Sequence, residues 1–166
     1  MNGDETTEKI RILFVCLGNI CRSPLAEGVF AEKVRLAGLA DRFEIDSAGT
    51  GSWHAGEPAD RRMRETARGH GVALTSRARQ FGYADFETFD HILVMDRSNL
   101  HDVLFLDRKE RFSDRVQLFR QYDPEPEDYQ VPDPYYGGDA GFERVYTIVD
   151  RTCDALLSAL RAHYAL

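Results

Sequence analysis

Residues 16–23 read Cys-Leu-Gly-Asn-Ile-Cys-Arg-Ser and set a thiol, Cys16, and a guanidinium, Arg22, at the ends of a short segment with five residues between them. Between them Leu17, Gly18, Asn19, Ile20 and Cys21 can curl so that successive N–H groups point inward and make a nest for an anion. Arg22 adds a planar fork able to grip two oxygens of that anion, which the point charge of a lysine cannot copy. A thiol beside a cation and near a helix N-terminus ionises more readily than a free one. Cys16 is therefore expected to stand as a thiolate and to attack a phosphoryl group whose equatorial oxygens the cradle holds, giving a phosphocysteine that water hydrolyses. Ser23 is placed to offer its hydroxyl to that sulfur.

Transfer from an ester also needs an acid for the leaving oxygen. Asp133 has prolines on both sides, Pro132 and Pro134, which leaves it little backbone freedom. It competes with Asp123, Glu125, Glu127 and Asp128 in the same stretch, and is preferred because Tyr135 and Tyr136 beside it offer a slot for an aromatic ring. Zinc is disfavoured: Cys16 and Cys21 lack two further ligands, and the third cysteine, Cys153, lies on an apolar stripe. The GxxxxGK[ST] pattern of a nucleotide-binding loop is absent. Cys21 has a second reading, as a thiol that traps oxidised Cys16 in a disulfide.

Such a cradle works only between a strand and a helix. Residues 10–16 (IRILFVC) suit a strand buried on both faces, and Leu25, Val29, Phe30 and Val34 recur at helical spacing, with Ser23 as the expected N-cap and Pro24 at the first helical position. The alternation repeats, with strands at 43–45, 91–95 and 116–119, helices at 59–70 and near 98–106 capped by Ser98, and a long amphipathic helix over 142–164. This pattern predicts an α/β fold with a parallel sheet covered on both faces. Residues 123–139 carry four of the six prolines and many carboxylates, so they should be irregular and border a site beyond the strand ends.

A length of 166 residues predicts one domain, here residues 9–166 after a flexible tail at 1–8. Lys and Arg number 21 against 28 Asp and Glu, a net charge of −7, which argues against nucleic acid or an anionic membrane as the main partner. The acidic, polar start lacks the character of a secretory leader and the cysteines are few and odd in number, so a cytoplasmic protein, by default monomeric, is expected.

The string VCLGNICRSP, with Asp133-Pro134-Tyr135-Tyr136-Gly137 far downstream, resembles the low-molecular-weight protein tyrosine phosphatases, and the likeness spans nearly the whole chain. It includes Asp46-Ser47-Ala48-Gly49-Thr50, Met95-Asp96 and residues 139–146. The resemblance implies a four-stranded parallel sheet flanked by helices, no metal or other cofactor, Cys16 as nucleophile, Arg22 as phosphate clamp and Asp133 as general acid. It further implies that Asn19, helped by Ser47 and His70, holds the loop's shape and that Trp53 walls the entrance; Ser47 reads equally as a turn residue and His70 as a cation capping the C-terminus of a helix. The partners it implies are phosphotyrosine proteins and the bacterial-type tyrosine kinase that supplies them. Arsenate reductases of similar fold need further cysteines after the second helix, and residues 72–95 hold none. Protein-arginine phosphatases resemble the family but carry a small polar residue where Ile20 stands, so Ile20 favours a phenyl ring. A non-catalytic anion or redox sensor built on the same cradle is the remaining alternative.

Overall fold

A computed structural model describes residues 8–135 and 138–166. Among these residues four strands, β1 (Ile10–Cys16), β2 (Phe43–Gly49), β3 (His91–Val94) and β4 (Val116–Leu118), form one sheet in the order β2-β1-β3-β4. All pairings are parallel: Ile10 to Cys16 run beside Phe43 to Gly49, Ile12 to Val15 beside His91 to Val94, and Ile92 to Val94 beside Val116 to Leu118. The helices are α1 (Arg22–Leu36), α2 (Arg61–Gly69), α3 (Ala84–Thr88), α4 (Arg97–Leu106) and α5 (Asp139–Tyr164).

The near-continuous apolar run of β1 is explained by what lies on each side of it. Alternate residues of a strand point to opposite faces. Ile12, Phe14 and Cys16 join one buried cluster with Leu25, Val29 and Phe30 of α1 and Val149, Cys153 and Leu156 of α5. Leu13 and Val15 join another with Phe86 of α3 and Val103 of α4. Phe14 meets Phe30 and Phe119 edge-to-face at 5.9 and 5.3 Å, anchoring the strand whose last residue is Cys16.

The expected alternation is present, with differences at its boundaries. β2 runs on to Gly49 rather than ending at 45, because its far half stays in register with β1 up to Cys16. Helix α1 begins at Arg22 with Cys21 at the cap position, so Ser23 is not its N-cap. Helix α4 is capped by Asp96, not Ser98: the Asp96 carboxylate accepts the Asn99 N–H while the Asn99 side chain accepts the Asp96 N–H. Helix α3 was not expected, since one and a half turns leave too little periodicity to read. Of the predicted tail only Glu8 lies among the described residues.

The strand order reverses between β1 and β3. Chain segments leaving their carboxyl ends diverge, and in open α/β sheets that divergence opens the crevice in which ligands bind. The loop after β1 holds Cys16 to Arg22, and the turn after β3 holds Asp96.

Candidate active site

The loop between β1 and α1 is held from outside by its carbonyls. Cys16 and Leu17 C=O accept from the N–H groups of Thr50 and Gly51, both at 2.9 Å, and Ile20 C=O accepts from Asp60 N–H at 2.8 Å. Gly49 lies so close beneath that a Cβ there would fall 2.8 Å from the Leu17 carbonyl oxygen, so only glycine lets β2 approach. With the carbonyls turned into the scaffold, the loop's N–H groups are left to face the other way, into the crevice.

Asn19 holds this curve. Its φ of +57° lies in the left-handed region, a conformation asparagine tolerates better than most side chains. Its amide donates to Ser23 Oγ at 2.7 Å and Ser47 Oγ at 3.0 Å, and its oxygen accepts the Arg79 N–H at 3.1 Å. Ser47 in turn donates to the half-buried carboxyl of Glu27. Burial pushes that carboxyl above the usual glutamate range, against the lowering hydrogen bonds from Ser47 and Ser76. The chain of donors has one direction. Because Ser47 gives its proton to Glu27 it must accept from Asn19, and because Ser23 also accepts from Asn19, its own proton is left for Cys16 Sγ, 3.0 Å away, or for the Ala48 carbonyl at the longer distance of 3.5 Å.

Arg22 is buried at the start of α1, its side chain 3% exposed. Its Nη1 donates to Asp96 Oδ2 at 2.7 Å and to the Val131 carbonyl at 3.0 Å. That fixes the guanidinium plane and leaves Nη2 and Nε, with no hydrogen bond among the described residues, as the open edge of the fork, Nη2 ion-paired at 3.6 Å with Asp133 Oδ2. Burial works against the Arg22 charge, but Cys16, Asp96 and Asp133 outweigh it and hold the group more firmly protonated than usual. Asp133 accepts the Tyr135 N–H at 3.0 Å, and its side chain is 40% exposed, open to the crevice. The loop that carries it is tied down by buried Arg120, whose guanidinium bonds the Asp123 carboxylate at 2.8 Å and the carbonyls of Gln130 at 2.7 Å and Glu125 at 3.2 Å.

Together these residues line a cleft of ≈ 350 Å³ formed by Cys16, Leu17, Gly18, Ile20, Cys21, Arg22, Trp53, His54, Asp133 and Tyr135. The sequence-predicted groups therefore converge, although Asp133 lies more than a hundred residues from Cys16 in the chain. Trp53 is 71% exposed at the rim, its indole lying over Gly51. Burial pushes the Cys21 thiol far up, with Asp60 and Cys16 adding to the effect, so it remains a neutral thiol. Tyr136 lies outside the described residues.

His70 is not part of the loop's support. It is the C-cap of α2, where its Nε2 pairs with Glu143 at 2.9 Å and its ring stacks on Tyr146 at 3.8 Å. Glu27, Arg79 and Ser76 occupy the supporting place instead. The sequence reading also missed His54, whose Nδ1 pairs with Glu57 at 2.6 Å, and the part Asp96 plays behind Arg22. The position of Asp96, two residues beyond the carboxyl end of β3 and within the Met95-Asp96 match, is the signal that could have found it.

The low molecular weight phosphotyrosine protein phosphatase family matches residues 11–165. A low molecular weight protein-tyrosine-phosphatase of Streptomyces coelicolor is 46% identical over 153 residues, covering 91% of this chain and 93% of the relative. The low molecular weight phosphotyrosine protein phosphatase of Homo sapiens is 42% identical over 156 residues, 92% of this chain and 95% of its own. A protein tyrosine phosphatase of Entamoeba histolytica, solved with Hepes in its active site, superposes with a TM-score of 0.89 at 38% identity, covering 94% of this chain and 99% of that one. A Drosophila arginine phosphatase superposes at 0.85 with 32% identity, covering 92% and 98%.

Proposed function

The chain belongs to the low molecular weight phosphotyrosine protein phosphatase family and is a protein-tyrosine phosphatase, and we infer that it works by passing the phosphoryl group to Cys16 and then to water. The observation that carries this reading is the hydroxyl of Ser23 at 3.0 Å from Cys16 Sγ, within a loop whose carbonyls are bonded to the scaffold. Sulfur held as an anion there is faced by main-chain donors, a hydroxyl and the open edge of Arg22.

In the first step the Cys16 thiolate forms an S–P bond as the P–O bond to the phenol breaks, and Asp133 gives its proton to the departing oxygen. Tyrosine leaves. In the second, the Asp133 carboxylate takes a proton from water as the water oxygen attacks phosphorus, the S–P bond breaks, and thiolate and inorganic phosphate result. Arg22 and the loop amides hold the three equatorial oxygens through both transfers, so charge on them meets donors already in place. Ser23 favours sulfur as the leaving group in the second step by donating to it.

Substrate choice rests on the walls. Ile20, Trp53 and Tyr135 around the cleft suit a flat phenyl ring, and the apolar Ile20 favours phosphotyrosine over phosphoarginine. A tyrosine kinase is then the source of the substrate. The test is hydrolysis of p-nitrophenyl phosphate, a phosphotyrosine peptide and a phosphoarginine protein, each in chelator and each beside Cys16→Ser. Turnover of the first two by the wild type, none by the variant and little release from phosphoarginine are expected. No turnover of any ester would leave only an anion sensor, and preferential release from phosphoarginine would transfer the assignment to that substrate.

A further inference from the structure

Away from the catalytic cleft, α2 carries a concentration of positive charge that the overall balance of the chain does not lead one to expect. Its nine residues, RRMRETARG, hold four arginines and one acid in a protein of net charge −7. Arg61, Arg64 and Arg68 fall on one face and border a groove of ≈ 650 Å³ whose floor is Val72 and Leu74. Glu65 is the acid in it, and it engages only Arg61, at 3.2 Å. Arg64 uses Nε on the Ala59 carbonyl at 2.8 Å, and Arg68 has no carboxylate partner among the described residues.

The N-terminal end of this row abuts the mouth of the active site. Asp60, the cap of α2, donates its N–H to Ile20 C=O at 2.8 Å, and Arg62 bonds the Tyr135 carbonyl at 3.1 Å with its guanidinium 5.6 Å from the Tyr135 ring. Ile20 and Tyr135 both line the cleft. At about 1.5 Å of rise per residue, Arg61 to Arg68 span roughly 10 Å, the length of about three residues of extended chain. We propose that this groove docks an acidic segment flanking the phosphotyrosine of the protein substrate, its carboxylates meeting Arg61, Arg64 and Arg68 while the phosphate occupies the Cys16 loop. The apolar floor takes the methylene stems of that segment and the guanidinium forks take its carboxylates.

The proposal deepens the phosphotyrosine reading and rests on it. It is tested with three phosphotyrosine peptides that carry acidic residues before the phosphotyrosine, after it, or on neither side, against wild type, Arg61→Gln/Arg68→Gln and Arg68→Glu. Glutamine keeps helix propensity, and unchanged thermal melting confirms that the variants are folded. The wild type is expected to favour one acidic peptide about three- to tenfold in kcat/KM at low salt, through KM, with the preference fading as ionic strength rises. The double variant loses most of that preference and Arg68→Glu lowers use of the acidic peptide further, while kcat and the p-nitrophenyl phosphate kinetics stay at wild-type values. Equal use of all three peptides by the wild type, or a preference that survives the double variant, overturns the docking proposal. Failure to hydrolyse p-nitrophenyl phosphate would strike the phosphatase reading instead, so the two failures are told apart.

Discussion

At the residue scale the site is a problem of directing protons and charge. The Glu27 carboxyl at the end of the Ser47 and Asn19 chain fixes which way each hydroxyl points, and the consequence arrives at Cys16 as the proton of Ser23. Ser23→Ala is expected to slow phosphocysteine breakdown more than its formation, a split that pre-steady-state burst kinetics reads as a larger burst relative to the steady rate. Arg22→Lys keeps the charge but loses the fork, and lowers kcat by ~10²–10³ in steady-state assays, the cost of removing one preorganised donor. Asp133→Asn removes the proton donor and lowers turnover of phosphotyrosine by ~10²–10⁴. The deficit should shrink across a series of aryl phosphates as the phenol becomes a better leaving group, because a stable phenolate needs no proton. An equal deficit for every leaving group would remove Asp133 from the acid role.

At the element scale, placement depends on a close approach between β2 and the loop after β1. A Cβ at Gly49 would lie 2.8 Å from the Leu17 carbonyl oxygen, which is backbone and cannot turn aside. Gly49→Ala is expected to destabilise the fold by about 1–3 kcal/mol in denaturant unfolding and to lower kcat, since the loop itself must shift. The strands and the long helix were legible because their burial is written into local patterns: β1 is apolar on both faces because helices cover both. That Cys16, Arg22 and Asp133 would share one cleft was legible for a different reason, the chemistry of their residue types at that spacing. What could not be read were partners supplied from distant chain: Glu27 and Arg79 beneath Asn19, and Asp96 behind Arg22. Ser23 was misplaced as a helix cap because serine suits that position locally, while tertiary contacts turn its hydroxyl to Cys16 instead. For His70 the sequence leaves a helix C-cap and a place behind the loop both open, and the structure shows the C-cap, its ring claimed by Glu143 and Tyr146 of α5.

At the scale of the whole molecule, the reversal of strand order between β1 and β3 opens the crevice, and the segment beyond β4 closes over it with Asp133. That segment is anchored by a buried charge cluster in which Asp123 receives both Arg120 and Arg151. Burial alone would raise the Asp123 carboxyl, yet hydrogen bonds from Arg151 and Arg120 hold it well below the usual aspartate range. A carboxyl whose folded value is depressed stabilises the fold above its unfolded value, near 4, and the contribution is lost as pH falls toward the folded value. Stability measured by denaturant should thus decline from about pH 4 downward, with a shallower decline in Asp123→Asn. Arg120→Met leaves Asp123 with Arg151 alone and is expected to cost about 3 kcal/mol, the low end for breaking a buried pair. No helix among the described residues is long and apolar enough to cross a membrane. The central claim, that Cys16 carries the phosphoryl group between tyrosine and water, is tested most directly by acid quenching of the enzyme within milliseconds of mixing with a phosphotyrosine peptide, followed by peptide mapping. The predicted result is a single phosphoryl group on Cys16, absent from Cys16→Ser; a phosphoryl group on another residue, or turnover with none on Cys16 at any time, would contradict it.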